Sequence, residues 1–355
     1  MLSKKILAVA ALLLCTSPAL AQAPAPAARP AAAPVRPTAT PPLAPTFADV
    51  LVAHTEYQGK PLDLKMNVWL PPGPKGAPTA VMLAGGGIAM NLLDHGIAVA
   101  SYHYQTNGMP GMIYDLKAYV RFLRAHAAEY NIDPKRIGFM GGSRAGGLAA
   151  MMAVTGDNKE MEGNIGGNLE QSSMLQAIVI DFALTDIMRD NVDAKVVEMI
   201  PLYLEDVDIP TSRKIVAAFR KHDTKSPYWK YVVRMEKFNP LNYITKDSPP
   251  AFIATGGDDM GNPLRNSTAL YEKYVEKGAQ AWLFSYSLGI HGPIGRHIDD
   301  ETITWIVDQL SPNPKPEFAT PLRPQPGPEE CEKTGRGGFC TPDPILANRK
   351  PKGKA

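Results

Sequence analysis

The chain has almost no net charge: 37 basic residues stand against 35 acidic ones, and the excess is Lys4 and Lys5. Without a basic surplus it carries no nucleic-acid signature. Long apolar runs are also missing. Ile6 to Leu14 is too short to span a bilayer, and no later stretch is long and apolar enough to do so. Cysteine is scarce, with Cys15, Cys331 and Cys340 the whole supply. Histidines and acids are scattered without metal-ligand spacing, and no cofactor motif is present. The chain is therefore expected to use neither metal nor cofactor.

The first 21 residues have the organisation of an export signal: Lys4 and Lys5, the apolar run, then the small-x-small site Ala19-Leu20-Ala21. Leu14 stands where a lipidation signal would need a small residue before Cys15. A periplasmic or secreted protein beginning near Gln22 is expected. Residues 22–45 are almost wholly Ala, Pro, Thr and Arg, which cannot build a core and should form an extended tether. Residues 313–355 are again rich in Pro, Gly and charge. In an oxidising compartment, Cys331 and Cys340 are expected to close a small disulfide loop. Residues 46–312 are left as one large α/β domain.

That domain is organised around Gly141-Gly142-Ser143-Arg144-Ala145-Gly146. A short apolar strand, Arg136 to Met140, runs into it, and an Ala- and Met-rich helix reaching about Thr155 leaves it. A serine on such a strand-to-helix turn has the setting of a nucleophile elbow, where the residues two before and two after must be small. Gly141 and Ala145 hold those places, so the pattern is G-x-S-x-A-G.

Around the elbow, apolar strands alternate with helical patterns. Asp49 to His54 and Leu62 to Leu70 read as an antiparallel hairpin about Gln58-Gly59-Lys60. Thr79 to Ala84 and Gly96 to Tyr102 read as buried parallel strands, joined by a connection shorter than the usual crossover of a dozen residues. Gly85-Gly86-Gly87 follows the first of these and frees backbone N–H groups to meet a ligand. Tyr114 to Tyr130 has helical spacing, ended by Asn131-Ile-Asp-Pro134. Leu175 to Phe182, Pro249 to Thr255 and Ala281 to Tyr286 are further strands, with helices at Ser267 to Lys277 and Asp299 to Leu310. Residues 187–238 break the alternation. They form an insertion with helices near Val196 to Leu204 and Ser212 to His222 and an aromatic cluster of Tyr228, Trp229 and Tyr231, either a cap over the site or a decoration on one side. The alternation predicts a mostly parallel, doubly wound sheet.

Acyl transfer by serine needs a base to take its proton and an acid to steady that base. Ser143 is followed by Asp258 and Asp259 after one strand and by His291 after the next, so all fall at strand C-terminal ends in the order Ser, Asp, His. His291, in a glycine-flanked loop between the last strand and last helix, is preferred over His297, which suits a surface role, and His103, which suits the wall of the site or a structural role.

The chain resembles secreted esterases of the α/β-hydrolase superfamily, in particular the feruloyl and acetylxylan esterase-like group related to prolyl oligopeptidase catalytic domains. Carrying that resemblance are Ala84-Gly-Gly-Gly87, Tyr130 to Ser143, Gly167 to Ser173, Thr185-Asp186 and Asn239 to Pro250. It implies an α/β-hydrolase fold with Ser143, Asp259 and His291 as the triad. The acid of the group lies four residues before a proline, as Asp259 does before Pro263. It also implies an oxyanion hole from the N–H groups of Gly86, Gly87 and Arg144. The segment after Gly87 is much shorter than in typical members. The Arg144 side chain could meet an anionic substrate or lie on the surface. The function implied is hydrolysis of a small-molecule or polysaccharide ester, with a serine peptidase or a noncatalytic exported binding module as alternatives. A peptidase of this group would be expected to carry a propeller ahead of the domain to select peptides, and residues 22–45 do not read as one. Oligomeric state is not legible.

Overall fold

The computed structural model describes residues 43–314 apart from 58, 74–75, 86, 105–107, 191, 258, 260–263, 287–290 and 293–295, with the side chains of 286 and 296–299 also set aside. The signal, nearly all of the tether, the Pro-rich tail and the Cys331–Cys340 pair lie outside these residues, as do Gly86, Asp258, Pro263 and the side chain of His297.

Strand β3 (Thr79–Leu83) illustrates why these sequences become central strands. Val81 and Leu83 enter one apolar cluster, and Ala80 and Met82 enter another on the opposite face. A continuous apolar run satisfies both faces only as a strand covered on each side. Its neighbours β4 (Ala98–Ala100), β5 (Ile132–Gly142), β6 (Ala177–Asp181), β7 (Ala251–Gly256) and β8 (Ala281–Tyr286) complete a parallel block. The hairpin β1 (Phe47–Tyr57) and β2 (Lys60–Trp69) adds antiparallel strands at one edge, β2 pairing with β4. The order is β1-β2-β4-β3-β5-β6-β7-β8.

Helices α1 (Gly111–Ala125), α2 (Arg144–Val154) and α6 (Leu264–Glu276) supply the first cluster, while α7 (Arg296–Gln309) supplies Ile303, Trp305 and Ile306 to the second. The insertion folds as α3 (Asp193–Tyr203), α4 (Ile209–Arg220) and α5 (Trp229–Glu236), and the aromatic residues Trp229 and Tyr231 lie on the last of these. Its Val196, Ile200, Ile215, Val216, Val232 and Met235 share the first cluster with α1 and α2.

Local outcomes differ from the sequence expectation at several places, and α1 is one, running from Gly111 to Ala125 where Tyr114 to Tyr130 has the helical spacing. The short connection from β3 to β4 is a 3₁₀ helix, Gly87–His95. At about 2.0 Å per residue such a turn spans roughly 18 Å, against about 14 Å for an α-helix of equal length, so a short segment can return the length of a five-residue strand. Strand β4 is correspondingly shorter than Gly96 to Tyr102. Strand β5 starts earlier than Arg136, because Ile132 pairs with Thr79 while Ile137 pairs with Val81 and residues 133–136 bulge from the ladder. Asp133 and Arg136 join at 2.7 Å within the bulge, and Arg136 also donates to the Pro78 carbonyl at 2.8 Å.

Candidate active site

The elbow sits where β5 passes into α2. Ser143 has φ 58° and ψ −121°, a backbone state that costs a non-glycine residue about 1–3 kcal/mol and persists only where the surroundings enforce it. Enforcement is visible on both sides. The Ser143 N–H donates to the Asp181 carbonyl at 3.0 Å, and the Gly147 N–H donates to the Ser143 carbonyl at 3.1 Å. A Cβ at Gly141 would lie 2.2 Å from the Ala145 carbonyl oxygen, so this position must be glycine. The backbone of Ala145 is what closes on Gly141. Its own methyl group is tolerated, which accounts for the alanine in the motif.

Opposite the serine, His291 stands in the loop after β8. Its Nε2 is 2.9 Å from Ser143 Oγ, and its Nδ1 is 3.0 Å from Asp259 Oδ2. The Asp259 side chain is wholly buried, whereas that of His291 is 41% exposed. The carboxylate is thus shielded from water on the far side of the ring, and the imidazole edge facing the serine opens to solvent. Three loops after β5, β7 and β8 bring these groups together, as the sequence order predicts. His103 is exposed, and its backbone N–H donates to the Tyr119 hydroxyl at 3.3 Å.

Two ring systems not singled out from the sequence complete the surroundings. Phe182, immediately after β6, has φ 36° and packs edge-on against the His291 ring at 5.1 Å between centroids. A Cβ on Gly142 would fall 2.6 Å from its Cζ, so the second glycine of the elbow makes room for this ring. Tyr203, at the end of α3, places its hydroxyl 3.3 Å from where a Gly147 Cβ would stand, and its carbonyl accepts from the Met109 N–H at 2.8 Å. Burial pushes the Tyr203 hydroxyl pKa up to about 12, a rise that the nearby positive charge of Arg144 opposes. The insertion therefore reaches the elbow helix through a buried phenol. Phe182 could have been found from its place at a strand C-terminal end, but Tyr203 looks like any core residue of an amphipathic helix.

As the first residue of α2, Arg144 presents one of the N–H groups that a helix leaves without an intrahelical acceptor. Gly87 is exposed at φ 66° at the start of the 3₁₀ helix, and Gly86 lies outside the described residues. The Arg144 side chain is half-buried.

The BD-FAE family model matches residues 75–274, more than half of the chain. The chain belongs to the BD-FAE family. The matched span contains Ser143 and Asp259 and ends before His291. A probable carboxylic ester hydrolase of Mycobacterium tuberculosis, LipM, is 25% identical over 189 residues, which cover 53% of this chain and 39% of LipM. The chain thus spans well under half the length of that relative. Among solved structures, a truncated carbohydrate esterase from gut microbiota is 25% identical with a TM-score of 0.59, covering 74% of this chain and 95% of its own. Two further structures share the fold at 18% identity: an acetyl ester-xyloside bifunctional hydrolase from Caldicellulosiruptor lactoaceticus, with a TM-score of 0.54 over 75% of this chain and 94% of its own, and esterase 2 of Thermogutta terrifontis, with 0.53 over 76% and 94%. The α/β-hydrolase fold expected from the sequence is the fold of this BD-FAE family member.

Proposed function

We propose that this protein is an exported serine carboxylic-ester hydrolase acting through Ser143, His291 and Asp259. The observation that carries the proposal is the hydrogen-bonded series from Ser143 Oγ to His291 Nε2, and from His291 Nδ1 to Asp259, at 2.9 and 3.0 Å. In the first half of the reaction His291 takes the serine proton as Oγ attacks the ester carbonyl. Asp259 holds the imidazole in the tautomer with Nε2 free and stabilises the imidazolium that forms. The protonated ring then passes its proton to the departing alkoxide, which leaves as the alcohol. Water, deprotonated by the same ring, attacks the acyl-serine, and the acid departs as Ser143 is reprotonated. The N–H groups of Arg144, Gly86 and Gly87 are assigned to the developing oxyanion, each such donor contributing on the order of 3 kcal/mol to the transition state.

The substrates named for the carbohydrate esterase and the acetyl ester-xyloside hydrolase support acetyl groups on carbohydrate as the acyl class, and the sequence resemblance adds feruloyl groups. The basic, apolar and small-residue order of residues 1–21 supports export. Export in turn supports pairing of Cys331 with Cys340. Among the described residues, no helix is long and apolar enough to cross a membrane.

Hydrolysis of p-nitrophenyl acetate tests the proposal. Ser143→Ala is expected to lower kcat by roughly 10⁴-fold or more, and equal rates for wild type and variant would refute a serine mechanism. Acetylated xylan, methyl ferulate and a proline-containing peptide amide then sort ester from amide chemistry, and cleavage of the amide alone would favour a peptidase.

A further inference from the structure

The arginine that follows the nucleophile has no evident structural employment. Arg121, Arg124, Arg136 and Arg234, the other buried or half-buried arginines among the described residues, each donate to a carboxylate or to backbone carbonyls. The side chain of Arg144 alone of this group makes no hydrogen bond or ion pair with any described residue. None of its nitrogens is among the buried unsatisfied polar atoms, so water, and an anion from solution, reaches the guanidinium. Its place gives it no helical role, because a cation in the first turn of a helix opposes the helix dipole. The buried Tyr203 hydroxyl feels its positive charge, which opposes the rise that burial causes. Asp259 is buried and committed to His291.

We infer that the Arg144 side chain is a specificity-determining group that binds a carboxylate carried by the substrate close to the scissile ester. The proposal deepens the assignment of Ser143 as nucleophile and rests on it. A guanidinium fork suits a carboxylate in two-point contact, and in a partly dry site a charge-assisted bond is worth more than in water. The side chain starts one residue from the nucleophile, so a carboxylate it meets in the site belongs to the acyl or alcohol part next to the bond broken. Uronic acids and aromatic or aliphatic carboxylic acids carrying an ester are the chemical class this implies.

The test compares 3- and 4-acetoxybenzoate with the corresponding acetoxybenzamides, neutral esters of similar shape, in wild type, Arg144→Gln and Arg144→Lys. The ratio of kcat/KM for anionic over neutral ester is expected to fall about tenfold or more in Arg144→Gln for at least one isomer, and to be largely retained in Arg144→Lys. Added salt should depress that ratio in wild type more than in Arg144→Gln. An unchanged ratio, or a parallel loss on both esters, would overturn the inference and leave the side chain a role in holding the elbow. Absence of any Ser143-dependent turnover would instead strike the hydrolase assignment. In that event calorimetric binding of 3- and 4-hydroxybenzoate against the hydroxybenzamides decides: a preference for an anion that Arg144→Gln removes upholds the inference, and no preference refutes it.

Discussion

At the residue scale, the elbow works by exclusion of Cβ atoms as much as by chemistry. Gly142 is glycine because the Phe182 ring occupies the space beside it, and that ring in turn flanks the imidazole. Gly142→Ala should displace Phe182, and through it His291, lowering kcat on p-nitrophenyl acetate about 10- to 100-fold, the penalty of a displacement near 1 Å in a reacting group. Gly142→Ala with Phe182→Ala should lose less than the sum of the two single changes, because the second removes the collision created by the first. Asp259→Asn should keep the packing of the loop yet lower kcat by about 10⁴-fold by favouring the wrong imidazole tautomer, readable in the same assay alongside an unchanged circular dichroism spectrum. Ser143 and His291 were legible because glycine-flanked loops at strand ends announce themselves in a single sequence. Asp259 was separable from Asp258 only by its spacing to Pro263, and in the structure it holds the bond to His291. Phe182 stands at a strand C-terminal end, a place that marks it, yet an aromatic residue ending an apolar strand also has the look of core.

At the scale of elements, the strands were easiest to read, because runs such as Thr79 to Ala84 and Leu175 to Phe182 are too apolar to face water on either side. Helix α5 was seen only as an aromatic cluster, since its eight residues offer barely two turns of period. The 3₁₀ form of Gly87–His95 was hidden for a different reason: nothing in its composition separates it from an α-helix, and only the distance to be spanned does. Polar contacts joining α1 to the loop after α2 were equally invisible. Lys117 and Arg121, on α1 and buried, reach Glu162 at 2.7 and 2.6 Å, and Lys117 also donates to the Thr155 carbonyl at 2.6 Å. Burial holds the Lys117 pKa below the usual lysine range, against the pull of Glu162. Removing the carboxylate leaves two buried cations with backbone carbonyl acceptors but without their counter-ion. Glu162→Ala should therefore lower the unfolding free energy by about 3–5 kcal/mol, measured by urea denaturation. A loss below about 1 kcal/mol would place this pair with ordinary surface ion pairs.

Across the whole molecule, one sheet carries Ser143, Asp259 and His291 on loops after β5, β7 and β8, so its C-terminal edge does the assembling. The proposed order Ser, Asp, His is readable because that topology converts sequence order into spatial neighbourhood. The reach of the insertion to the elbow was not, since Tyr203 meets Gly147 across a contact between residues far apart in the chain. The proposed nucleophile can be addressed in the intact protein with a p-nitrophenyl alkylphosphonate, which reacts with an activated serine and expels p-nitrophenol. Intact mass and peptide mapping should find one phosphonyl group per chain, on Ser143, with loss of esterase activity in proportion to labelling and no adduct on Ser143→Ala. Labelling of a different residue that abolishes activity, or full activity in a protein labelled at Ser143, would contradict the assignment.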